Sequence, residues 1–142
     1  LPVPVFTSSL LQLPFLQRML APRERIGVIT ADAANLTAEH LRRAGADAAR
    51  LTVCGLEDQP HFREAIFGGR GQLNRQGIET EVVAAARRMT ASDPAIRALL
   101  FECANLPPYA AAVQTAVGLP VYDIVTLIRH VHSALARTPF GL

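Results

Sequence analysis

Ile96–Tyr109 reads IRALLFECANLPPY. Ile96, Ala98, Leu99, Leu100 and Phe101 make a nearly continuous apolar run, the pattern of a parallel strand covered on both faces. The run ends in Glu102 and Cys103, passes through Ala104-Asn105, and enters two prolines. Proline suits the first turn of a helix, where a missing N–H costs nothing. The stretch therefore predicts a buried strand, a short turn and a helix, with a cysteine at the junction. That junction is where α/β enzymes present reactive side chains. A thiol there receives the partial positive charge of the helix N-terminus, which favours thiolate and lowers the pKa from about 8.5 toward neutrality. Amides around Ala104, Asn105 and Leu106 could hold an anion such as a substrate carboxylate. Glu102 would oppose ionisation of the thiol if it shared the pocket, but strand alternation points it away from Cys103. The alternative is an inert packing thiol, the commonest fate of a free cysteine.

Working outward, strands and helices alternate along the chain. Val3–Thr7, Arg25–Thr30, the run ending at Gly55, Ile96–Glu102 and Leu119–Ile124 read as strands. Between and after them, helices are expected over Ser8–Leu20, from Thr37 to a stop at Gly45, and over Pro60–Phe67, Glu79–Thr90, Leu106–Val117 and Val125–Ala136. Ser8 or Ser9 is the N-cap candidate of the first. In the long helix Val82, Val83, Ala86 and Met89 form the apolar face, against an Arg87-Arg88 exterior. The βαβα order predicts an α/β fold, a parallel sheet with helices on both faces. Ligands of such sheets sit beyond the carboxyl ends of the strands. The polar residues there are Thr7-Ser8-Ser9, Thr30-Ala31-Asp32, Cys54, Cys103-Ala104-Asn105 and Asp123.

Pro4-Val5-Phe6 and Pro120-Val121-Tyr122 are the same strand entry written twice, flanking one complete β-α-β-α-β unit. Residues 25–118 are accordingly expected to form a whole α/β lobe. Residues 1–24 and 119–142 are expected to be strand–helix pieces of a second, similar lobe, and a segment before Leu1 is expected to be missing.

Composition narrows the function. Half of the 142 residues are apolar and the net charge is only +2, as in a folded globular domain. All 14 basic residues are arginines, scattered or in pairs on presumed helix faces, which argues against nucleic-acid binding. No apolar run approaches the ~18–20 residues of a membrane span. The two cysteines form no disulfide framework, so a cytoplasmic setting with reduced thiols is expected. With no lysine, a pyridoxal Schiff base is excluded and no cofactor is expected. His130 and His132 lie two apart on a helix and face different ways, so no metal site is expected either. Gly68–Gly71 with Arg70 resembles half a phosphate loop but follows a helix rather than a strand, a weak dinucleotide signal.

The segment ECANLPPYAAAVQTAVGLPVYD (Glu102–Asp123) resembles the second-cysteine segment of the aspartate/glutamate/hydantoin racemase superfamily. VPVFTSSLLQ (Val3–Gln12) is similar to the segment linking the two lobes of these enzymes, and RIGVITADAANL (Arg25–Leu36) to the start of their second lobe. The resemblance covers nearly the whole chain. It implies two facing racemase-type, Rossmann-like lobes with a cysteine from each flanking the substrate's α-carbon, one acting as base and the other as acid. Cys103 would take one of these roles. Thr30 would bind the substrate carboxylate, Ala31, Ala104 and Asn105 would line the pocket, and Ser8 and Ser9 would join them. Ala104-Asn105 stands where many glutamate racemases carry Thr-His, which favours the aspartate or hydantoin branch. The resemblance thus implies a cofactor-independent racemase or epimerase acting on a small carboxylate or hydantoin, as a homo-oligomer. One thiol serves one face of the α-carbon, so the lobe alone is expected not to racemise. The alternatives are a single-cysteine decarboxylase or isomerase of the same superfamily, and a non-catalytic binding lobe. Cys54, in an apolar run, is expected to be a packing thiol.

Overall fold

A computed structural model describes residues 5–68 and 73–139. The strands are β1 (Arg25–Thr30), β2 (Leu51–Gly55), β3 (Ile96–Phe101) and β4 (Val121–Tyr122), all parallel, in the order β2-β1-β3-β4. The helices are α1 (Leu13–Met19), α2 (Ala38–Arg43), α3 (Pro60–Phe67), α4 (Arg75–Ser92), α5 (Ala110–Val117) and α6 (Ile124–Leu135). This is the α/β architecture expected from the alternation of elements. The order also places a switch point between β1 and β3, from which successive connections run in opposite directions across the sheet. Crevices at the carboxyl ends of strands form at such points.

Period-two alternation sends side chains of the central strands to two separate cores. Ile29, Leu99 and Phe101 join Phe62 of α3, Val82, Ala86 and Met89 of α4, and Val113 of α5. Ile26, Val28 and Leu100 join Leu10, Leu13, Leu16 and Leu41 under α1 and α2. Gly27 lets α4 approach closely. A Cβ there would come within 2.7 Å of Leu99 Cδ2 and would also collide with Met89 Sδ. At the amino end of the sheet, Arg25 Nε lies 2.9 Å from Asp93 Oδ2 and donates to Thr52 Oγ1 at 3.1 Å. The Thr52 hydroxyl in turn donates to Asp93 at 2.7 Å, tying β1 and β2 to the end of α4.

Local signals set the element ends. Ser8 caps a 3-10 turn over Ser9–Gln12 by accepting from Leu10 N at 3.1 Å, and Thr37 caps α2 in a capping box with His40. Gly45 follows α2 at φ +78°, the left-handed conformation expected of it. Asp123 caps α6 reciprocally with Thr126.

Several expectations are corrected. Val3 and Pro4 of the first expected strand lie outside the described residues, and Val5–Thr7 forms no strand. No strand pairs with that stretch, and Val5 is 77% exposed. The long helix begins at Arg75 rather than Glu79, because Asn74 accepts from Gly77 N and starts it a turn earlier. The last expected strand shrinks to the two residues of β4. β4 joins the same sheet, with Leu99 paired to Val121 and Leu100 to Tyr122. Residues 69–72 of the glycine-rich loop lie outside the described residues. No helix among the described residues is long and apolar enough to cross a membrane.

The close contact at Gly27 gives a stability prediction. Gly27→Val should lower the unfolding free energy by about 1–3 kcal/mol through overpacking. Urea denaturation measures it, and an unchanged midpoint would show that α4 can move away without cost.

Candidate active site

The switch point holds a groove of about 550 Å³, lined among others by Thr7, Ser8, Thr30, Ala31, Asp32 and Glu102. The β1–β3 ladder continues one residue beyond β3, with Glu102 N donating to Ile29 O at 2.8 Å. That extra step sets Glu102 beside Thr30 on the same face of the sheet. The buried Thr30 hydroxyl donates to Glu102 Oε2 at 2.8 Å. Thr30 was expected to bind a substrate carboxylate through this hydroxyl. Its proton is instead engaged by an acid of the protein.

Ser8 and Ser9 are likewise engaged. Ser8 lines the groove, but its oxygen caps the 3-10 turn. Ser9 is buried and donates to Phe101 O at 2.9 Å, pinning that turn to the end of β3. Its hydroxyl proton is engaged there rather than open to the groove.

Cys103 is half-buried and packs toward the opposite core, the one beneath α3, α4 and α5. It therefore leaves the strand on the other side from Glu102, as alternation requires. Asn105 Nδ2 lies 3.8 Å from its sulfur. Ala104 and Asn105 are exposed and line a second pocket of about 340 Å³, together with Arg75 and Tyr109. The expected helix start is tighter than predicted: a 3-10 turn over Pro107–Tyr109 precedes α5. Leu106 N donates to Cys103 O at 3.1 Å, so this amide is not open to an anion. The expected site thus falls into two parts. Ser8, Thr30 and Ala31 share the groove with Glu102, while Cys103, Ala104 and Asn105 stand at the far side of the same strand end.

Cys54 sits at the end of β2 with its sulfur 3.4 Å from Gly55 O. Burial pushes its thiol pKa up, Arg88 partly offsets this, and Glu57 adds to it. That environment disfavours thiolate and fits the packing role expected of it.

Glu102 as a member of the groove was not foreseen. Its partner Thr30 is 72 residues away, and only the β1–β3 register brings the two together. Asp32, His40 and Arg43 also line the groove, but each is held locally. Asp32 accepts from Ala34 N and Asn35, His40 closes the cap of Thr37, and Arg43 pairs with Glu39 at 2.7 Å.

Comparison with known proteins places this geometry. Allantoin racemase from Pseudomonas fluorescens superposes with a TM-score of 0.54 over 94% of this chain and 60% of its own, at 16% identity. This chain shares the fold of that racemase. Similar sequences carry another activity in their names. The chain is 34% identical to dimethylsulfoniopropionate lyase 5 of Emiliania huxleyi over 99% of its length, and 36% identical to lyase 7 over 98%. It is 33% identical over 98% to the dimethylsulfoniopropionate lyase of Durusdinium sp. clade D. It spans 29%, 43% and 48% of the lengths of these three proteins. No protein-family model matches the chain.

The two thiols give a direct test. Near pH 7, iodoacetamide should alkylate Cys103 faster than Cys54, because Cys54 is held against ionisation by burial. Peptide mapping of the label over time reads both rates, and equal or reversed rates would remove Cys103 as the reactive thiol.

Proposed function

We propose that this chain is the Cys103-bearing lobe of a lyase that cleaves dimethylsulfoniopropionate, with Cys103 as the base. The observation that carries this is the similarity to named dimethylsulfoniopropionate lyases, which runs over 98–99% of the chain and includes the cysteine segment.

The chemistry joins the racemase-type fold to the lyase reading. Racemases and this lyase share a first step, removal of a proton from the carbon α to a carboxylate. In the lyase the Cys103 thiolate takes that proton and becomes a thiol. The C–H electron pair forms the double bond to the β-carbon, and the C–S bond breaks with its pair going to sulfur. Neutral dimethyl sulfide and acrylate result. Inversion of a stereocentre needs a second acid on the opposite face, whereas elimination needs proton removal from one face only. Cys103 alone therefore meets the acid–base demand of the elimination. Ala104 and Asn105 are exposed next to Cys103 in the chain, and their amides would hold the substrate carboxylate next to the carbon being deprotonated. A base of this kind needs a reduced thiol, which suits a cytoplasmic setting.

Racemisation or epimerisation of a small carboxylate or hydantoin is the second reading, favoured by the fold match to allantoin racemase. On either reading the catalytic thiol is the same.

Headspace gas chromatography with the purified protein separates the two. Dimethyl sulfide should be released from dimethylsulfoniopropionate, and Cys103→Ala should cut the rate by about 10²–10⁴-fold. α-Deuterium uptake by aspartate or hydantoins without sulfide release would favour racemisation. Full activity in Cys103→Ala would remove the cysteine from both.

A further inference from the structure

We propose that Glu102, oriented by Thr30, receives the cationic end of the substrate, so that the groove selects carboxylates bearing a methylated sulfonium or ammonium group. This deepens the lyase reading of the same strand end and rests on it for the identity of the natural substrate.

Asp32 and Glu102 are the groove's two carboxylates, and Asp32 has both oxygens engaged by neutral donors of its own turn. Among the described residues Glu102 has no cation partner, and its carboxylate accepts one hydrogen bond, the one to Oε2 from Thr30. No buried side-chain oxygen among the described residues lacks a partner, so Oε1, which has none, is accessible to solvent, on a residue that lines the groove. The other charged groups lining the groove are tied to neighbours, Asp32 by its turn and Arg43 by Glu39. A buried hydroxyl thus fixes one carboxylate oxygen and leaves the other with no donor among the described residues.

The rest of the wall decides the kind of cation. Leu10, Leu11, Leu36 and Phe67 line the groove alongside Glu102. An ammonium or guanidinium group needs several acceptors for its N–H donors. A dimethylsulfonium or trimethylammonium group has none to satisfy. It presents methyl groups to apolar walls and an aromatic face, and its diffuse charge needs one nearby anion. A single open carboxylate among leucines and a phenylalanine matches that requirement. The same charge would repel the second carboxylate of aspartate or glutamate.

Glu102 and Cys103 have Cα atoms about 3.8 Å apart, with side chains leaving opposite faces of the sheet. A short zwitterion laid across the end of β3 would have its carboxylate at Ala104-Asn105, its α-carbon at the thiol and its onium group toward Glu102. Because the positive charge disappears as the C–S bond breaks, Glu102 holds the ground state at least as well as the transition state. Its removal should therefore raise KM without lowering kcat, which distinguishes recognition from a general structural defect.

The test compares 3-(trimethylammonio)propionate with its neutral isostere 4,4-dimethylpentanoate by calorimetric titration. It also compares dimethylsulfoniopropionate kinetics of the wild type and Glu102→Gln. The unaltered protein should bind the ammonio acid at least about tenfold more tightly than the isostere, and Glu102→Gln should bind both alike. The variant's KM should rise about 10- to 100-fold with kcat undiminished. Equal binding of the two ligands by the unaltered protein, or preference retained in Glu102→Gln, would overturn the proposal. So would a loss confined to kcat. Preferential binding of the ammonio acid without any dimethyl sulfide release would instead sink the lyase reading and leave the Glu102 site standing. The two-ligand comparison needs no variant, so a poorly folding Glu102→Gln cannot mask the result.

Discussion

The parallel pairing of β1 with β3 is the constraint on which the rest depends. Ile29 stands opposite Phe101, and the ladder runs on until Glu102 N meets Ile29 O. A shift of one residue would exchange every side chain between the two cores. It would move Phe101 out from under α4 and bring Cys103 to the side that Thr30 and Glu102 occupy. Burial of apolar side chains on both faces holds the register, because Ile26, Val28, Ile29, Leu99, Leu100 and Phe101 are all 0% exposed. The hydrophobic cores thereby decide the chemistry at the strand end, delivering a thiol to one side of β3 and a carboxylate to the other.

Much of this was legible in the sequence. Near-continuous apolar runs gave β1 and β3 their bounds to within a residue, and Ser8 as one of two cap candidates, the helix start at Thr37 and the stop at Gly45 read correctly because helix ends are local chemistry. Val5–Thr7 misled because a β-rich composition cannot report whether a neighbouring strand exists to pair with it. The site was harder still. The sequence placed Thr30, Cys103 and Asn105 at strand ends, but the face each side chain takes, and whether its hydrogen-bonding capacity is already used, depends on register. Thr30 looked like a ligand for an anion until the sheet put Glu102 2.8 Å from its hydroxyl. Ser9 looked equally available until the end of β3 claimed its proton.

On the proposed reading, one fold would serve two reactions at this strand end. Proton removal next to a carboxylate is common to racemisation and elimination, and a thiol at a helix entrance suits both. What separates them is the group on the β-carbon. A site with an onium-binding carboxylate favours a substrate whose leaving group departs as a neutral sulfide, and disfavours diacids by charge. Specificity and reaction type would then be set by the residue preceding the cysteine rather than by the cysteine.

The most direct measurement is an NMR or crystal structure with 3-(trimethylammonio)propionate bound. The ligand should lie across the end of β3, with its N-methyl protons close to Thr30, Glu102 and Phe67. Its carboxylate should meet the amides of Ala104 and Asn105. A ligand confined to one side of the sheet, or one whose methyl groups point away from Glu102, would contradict the shared site.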